Sequence, residues 1–133
     1  MELIASISAS HGSADFLTML TNDTHKWMAD EPLELGGTNQ GPNPYELMLS
    51  ALSSCSAITM KMYANRKQWP LEGVDIQCSL VKPDPNSVYI IQRRISLKGP
   101  LDEEQTDRLL QIADLCPIHK MISNNIAVQT LGS

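Results

Sequence analysis

Two cysteines stand in settings where sulfur chemistry is possible. Cys116 is followed by Pro117, with His119 three positions on. Cys-Pro at a helix start puts the sulfur beside the first free backbone N–H groups and the positive end of the helix dipole, which lowers a thiol pKa and favours thiolate. His119 falls on the same face and can pair with that thiolate. A blander reading also fits, with Cys116 an ordinary helix-start residue and His119 solvated. Cys55 lies within Ser53-Ser54-Cys55-Ser56-Ala57-Ile58-Thr59. By position it reads as a small buried hydrophobe, a common fate of free cysteine. The serines and Thr59 around it argue otherwise, because hydroxyls can hydrogen-bond a thiolate or a bound water. Cys78 shares a strand face with Val74, Ile76 and Leu80 and reads as packing.

Other chemistries have weaker support. Cys116 and His119 offer two metal ligands, and further ones would have to come from Cys55, His11 or His25. The spacing does not resemble the paired ligand clusters of a structural zinc site. Gly36-Gly37 and Gly41 lack the spacing of a phosphate-binding loop. No cofactor and no metal are expected. Ten Lys and Arg against 15 Asp and Glu give a net charge of −5, which argues against a nucleic-acid partner. Arg66-Lys67 and Arg93-Arg94 read as solvated basic pairs. The N-terminus has no basic, long apolar leader. The apolar stretch Leu47 to Met60 is too short for a bilayer, which needs ~20 apolar residues. No membrane association is expected. Three cysteines, an odd number, do not make a disulfide scaffold and suggest thiols in a reducing cytoplasm.

The elements that must hold these residues follow from periodicity. The 133 residues suit one domain, 1–133, and 42% hydrophobic content is globular. Alternation from Leu3 to Ser8, then Phe16 to Leu20 and His25 to Ala29, separated by turn signals, predicts an antiparallel meander. Asp30 to Pro44, rich in Gly and Pro, reads either as a binding loop or as a crossover connection. Asn43-Pro44-Tyr45-Glu46 opens a helix with a capping box, running to about Arg66 or Lys67. That helix has no charge between Glu46 and Lys61, so a second helix or a second subunit must cover it. Val74–Val81 and Val88–Leu97 predict a long hairpin. Asp102 caps a further helix, Cys116-Pro117 opens a short one, and Ile126 to Leu131 reads as a last strand. The order, βββ-α-ββ-α-α-β, is α+β.

Gly36-Gly37, the run Gly41-Pro42-Asn43-Pro44-Tyr45-Glu46-Leu47, a helix holding Cys55, and Cys116-Pro117-Ile118-His119 together resemble the osmotically inducible protein C and organic hydroperoxide resistance (OsmC/Ohr) superfamily. The likeness covers essentially the whole chain. Met62-Tyr63-Ala64 with Arg66-Lys67 and Trp69-Pro70-Leu71-Glu72 is similar to the OsmC-like branch. The resemblance implies antiparallel sheets wrapped around long central helices in an intertwined homodimer. It also implies a thiol-dependent peroxidase. Cys55 would attack a peroxide and become a sulfenic acid, Cys116 would resolve it to a disulfide, and an external thiol would reduce that disulfide.

Active members of the family carry a Glu directly after the helix-start Pro and an Arg from the segment before the helix. Here Tyr45 occupies the first position, Glu46 is one residue late, and no Arg precedes Arg66. Lys26 does not reproduce a guanidinium fork. At ~100° per residue Glu46 and Cys55 face opposite ways, so Glu46 reads as a cap. These departures imply weak turnover of organic or hydrogen peroxide. They leave open a second class, a non-catalytic small-molecule-binding or interaction module lined by Tyr45, Met48, Cys55 and the Gly/Pro loop. A third option is thiol chemistry on another electrophile.

Overall fold

The computed structural model describes residues 1–124 and 126–132. In chain order the elements are β1 (Ser8–His11), β2 (Thr18–Thr21), β3 (Lys26–Ala29), a 3-10 turn (Leu33–Leu35), α1 (Pro44–Lys67), β4 (Gly73–Val81), β5 (Ile90–Lys98), α2 (Glu103–Ala113) and α3 (Pro117–Ser123). Two antiparallel sheets and three α-helices make the α+β class expected from the sequence. The chain groups into two compact units, Met1–Met48 and Leu49–Ser133, with α1 beginning in the first and continuing in the second.

The first unit holds the meander, in the order β1-β2-β3. Its first strand lies later than Leu3–Ser8, because the ladder runs from Ser8 opposite Thr21 to His11 opposite Thr18. β2 ends at Thr21, where Asn22 Oδ1 accepts the N–H groups of Thr24 and His25 at 2.9 and 2.6 Å and turns the chain. Residues 3–7 therefore run past the end of their would-be partner.

The Gly/Pro segment is a folded loop organised by one carboxylate. Asp30, only 2% exposed, accepts the Glu31 N–H at 2.8 Å, the Thr38 hydroxyl at 2.7 Å and the Thr38 and Gln40 N–H groups at 3.3 and 3.2 Å. The Thr38 hydroxyl, with these backbone groups, holds its pKa below the ordinary value against the opposing effect of burial. Gly41 is required there, since a Cβ would lie 2.3 Å from the Met28 carbonyl oxygen. The expected capping box closes the loop onto α1. Asn43 Oδ1 accepts the Glu46 N–H at 2.8 Å, and Glu46 Oε1 accepts the Asn43 N–H at 2.9 Å.

In the second unit, β4 and β5 pair without interruption from Gly73 opposite Lys98 to Val81 opposite Ile90. The inward face of this hairpin carries Val74, Ile76, Ile95 and Leu97, which pack on a buried core of Met60, Ala64, Leu71, Leu109, Ile112 and Ala113. α1 supplies one stripe, Leu52, Ser56, Met60 and Ala64, with the i, i+4 spacing of a single helix face. Ile58 and Met62 on α1 stay exposed. α1 stops at Gln68, whose positive φ of 59° turns the chain so that the Trp69 N–H reaches the Ala64 carbonyl at 2.8 Å. α2 starts at a second capping box, Asp102 with Gln105.

The final strand expected over 126–131 is absent. Those residues have no strand pairing, and Ile126, Val128 and Leu131 are exposed. Among the described residues the two sheets hold only β1-β2-β3 and β4-β5, and this segment joins neither. No helix among the described residues is long and apolar enough to cross a membrane.

Candidate functional site

The site is assembled where α1, β5 and the start of α3 meet. Cys116 is the N-cap of α3, and it is fully buried. Its extended backbone, φ −65° and ψ 140°, turns Sγ back toward the first turn, where it accepts the His119 N–H at 3.2 Å. Pro117 suits the first helical position because the N–H it lacks would have had no partner inside the helix. The next N–H, from Ile118, is directed at Cys55.

Cys55 is half-buried on α1. Its Sγ lies 4.0 Å from Thr59 Oγ1, and Cys116 is near enough to act on its thiol. Burial pushes the Cys55 thiol pKa up. The Ile118 N–H opposes this, while the hydrogen bond and charge of Cys116 add to it. The structure therefore brings together the two cysteines singled out from the sequence. Cys78, in contrast, sits on β4 directly opposite Arg93, on the apolar inward face. Among the described residues no group of three or more His, Cys, Asp or Glu is arranged to hold a metal ion.

Arg93 is the residue that sequence reasoning misplaced. Read as solvated, its side chain is in fact only 11% exposed. Nη1 donates to Ser56 Oγ at 2.8 Å and to the Ala113 carbonyl at 3.4 Å. Nη2 donates to Asp114 Oδ1 at 2.7 Å and to His119 Nδ1 at 3.1 Å. The signal that reveals it is strand alternation. Ile91, Arg93, Ile95 and Leu97 are the less exposed positions of β5, whereas Arg94 and its alternate neighbours face outward.

The expected pairing of His119 with Cys116 takes a different form. The backbone N–H of His119 makes the contact with sulfur, while its ring turns to Arg93. Since a guanidinium only donates, Nδ1 acts as the acceptor and the remaining ring proton belongs on Nε2. Ser56 joins the two halves of the site. Its Oγ accepts from Arg93 and lies 2.7 Å from the Leu52 carbonyl oxygen and 3.9 Å from Cys116 Sγ. Glu46 is engaged in its capping box and Tyr45 is exposed.

The comparisons with known proteins agree with this architecture. The family model of the OsmC-like protein matches residues 37–131. Among solved structures, an OsmC-like protein of Mycoplasma pneumoniae superposes with a TM-score of 0.78 at 18% identity, over 92% of this chain and 89% of that one. An organic hydroperoxide resistance protein OsmC of Legionella pneumophila gives 0.65 at 23% identity, over 93% of each chain. The organic hydroperoxide resistance protein OhrB of Bacillus subtilis gives 0.62 at 22% identity, over 92% of this chain and 93% of that one. No curated protein matches the chain. With both cysteines on the expected elements and the model spanning both helix starts, the chain belongs to the family of OsmC-like proteins.

Proposed function

We propose that this protein is a cysteine-dependent peroxidase with a peroxide-related redox role, working as a single domain, 1–133, within a homodimer in a reducing cytoplasm. The observation that carries this reading is that Ser56, the neighbour of Cys55 on α1, reaches to 3.9 Å from Cys116 Sγ, and that Cys116 is near enough to act on the Cys55 thiol. Family membership and the names of the Legionella and Bacillus neighbours point the same way. The Cys55 thiolate attacks the peroxide O–O bond, forming a sulfur–oxygen bond and releasing an alkoxide or hydroxide that takes up a proton. The Cys116 sulfur then attacks the sulfenic acid, a disulfide forms, and the hydroxyl leaves as water. Two equivalents of an external thiol restore both cysteines.

The raised pKa of Cys55 fixes the pH response. Only the thiolate attacks, so oxidation of Cys55 accelerates as the pH rises, with an inflection above the ~8.5 of an ordinary cysteine. Stability moves oppositely. The folded state holds this proton more tightly than the unfolded chain, so its contribution is full below the unfolded pKa and is lost as pH rises through the folded one. The test is stoichiometric peroxide followed by peptide mass spectrometry across the alkaline range. A Cys55–Cys116 disulfide, formed faster at higher pH, is expected. Accessible thiols that yield neither disulfide nor sulfenic acid would reject the peroxidase in favour of a binding module.

A further inference from the structure

The two sulfurs of the proposed disulfide are not equivalent, and their surroundings give its reduction a direction. Resting on the redox reading above, we propose that an external thiol opens the Cys55–Cys116 disulfide at Cys55, that Cys116 leaves as thiolate, and that Arg93 is the positioning residue that prepares Cys116 to leave.

Access separates the sulfurs first. Thiol–disulfide exchange requires a nucleophile to reach one sulfur directly. Cys116 is completely buried, whereas Cys55 is half-buried. Leaving ability separates them next, because the sulfur that departs more readily is the one better stabilised as thiolate. Cys116 Sγ receives the His119 N–H at 3.2 Å and has the Ser56 hydroxyl at 3.9 Å. Arg93 stands behind both donors. It donates to Ser56 Oγ at 2.8 Å and to the His119 ring at 3.1 Å, and Asp114 fixes the guanidinium from the other side at 2.7 Å. With the Arg93 N–H occupying a lone pair of Ser56, the hydroxyl hydrogen has two destinations, the Leu52 carbonyl and Cys116 Sγ. A new negative charge on Cys116 draws that hydrogen toward sulfur.

The step balances. The thiolate RS⁻ bonds to Cys55 Sγ as the Cys55–Cys116 bond breaks, and the electron pair goes to Cys116. A second external thiolate attacks the R sulfur of the mixed disulfide, giving RSSR and the Cys55 thiolate. The protons come from the two external thiols, which are oxidised as the protein disulfide is reduced.

The experiment uses the full chain with Cys78→Ser, oxidised with diamide so that the result does not depend on peroxide turnover. A small monothiol is added, exchange is quenched with acid, and the mixed disulfide is mapped by mass spectrometry. It is expected on Cys55. A mixed disulfide mainly on Cys116 overturns the proposal, as does failure of diamide to form the Cys55–Cys116 disulfide. A disulfide that forms with diamide but not with peroxide rejects the peroxidase reading and leaves the direction of opening to be read from the same digest.

Arg93→Met and Arg93→Lys test the positioning role. In Arg93→Met, disulfide opening slows on the order of threefold to tenfold through poorer departure of Cys116. The share of mixed disulfide carried on Cys55 rather than on Cys116 falls in the same variant. Arg93→Lys recovers part of both effects. An unchanged opening rate and an unchanged share on Cys55 in a normally folded Arg93→Met chain would show that Arg93 is structural only.

Discussion

A hydroxyl has one hydrogen, and Ser56 has two acceptors for it, the Leu52 carbonyl and the Cys116 sulfur. It also receives a hydrogen bond from Arg93. Ser56 therefore works as a coupling point rather than as helix filler. Ser56→Ala leaves the Leu52 carbonyl within its helix but takes from Arg93 Nη1 its shorter partner, keeping only the Ala113 carbonyl at 3.4 Å. Unfolding by denaturant is expected to show a loss of about 1–3 kcal/mol, the cost of leaving a buried donor poorly paired. Retention of full stability would mean that Arg93 finds another acceptor. At this scale Cys116 was legible because a Cys-Pro pair carries a local helix-start signature, whereas Cys55, in the middle of α1, was singled out by its hydroxyl neighbours and by the family resemblance. Arg93 was hidden by Arg94, since a basic dipeptide suggests solvent unless strand alternation is followed through it.

At the scale of elements, the capping box from Asn43 to Glu46 was legible, because it is written in four consecutive residues, while at Asp102 the cap was legible and the reciprocal contact of Gln105 was not. The Asp30-centred loop was not, because its donors Thr38 and Gln40 lie eight and ten residues on and no local rule links them. The end of α1 offers a direct test. Gln68 holds a left-handed conformation that glycine adopts without a Cβ penalty. Gln68→Gly is expected to raise stability by about 0.5–1 kcal/mol in chemical denaturation. A destabilised variant would show that the Gln68 side chain contributes more than its backbone strain costs. The missing strand over 126–131 illustrates the converse limit, in which alternation in a sequence marks a potential strand while pairing depends on an edge.

At the scale of the molecule, the uncharged α1 buries one stripe in its own chain and leaves Ile58 and Met62 58% and 67% exposed, one helical turn apart. Exposed apolar neighbours of this kind favour a protein partner, and the proposed homodimer supplies one. Light scattering at micromolar concentration is expected to give twice the chain mass, and Met62→Glu is expected to shift it toward the monomer. A monomeric parent chain would refute the dimer. The uninterrupted pairing of β4 with β5, in which Cys78 faces Arg93, also limits how the gene can change length. Slippage by one residue would turn Gln92, Arg94 and Ser96 inward in place of Ile91, Arg93, Ile95 and Leu97, moving Arg93 to the solvent face and stripping the hairpin of its apolar side. Insertions and deletions are therefore tolerable in the turn over 82–89, where they alter only a loop, and intolerable within either strand, where a single codon would separate the cysteines from their arginine.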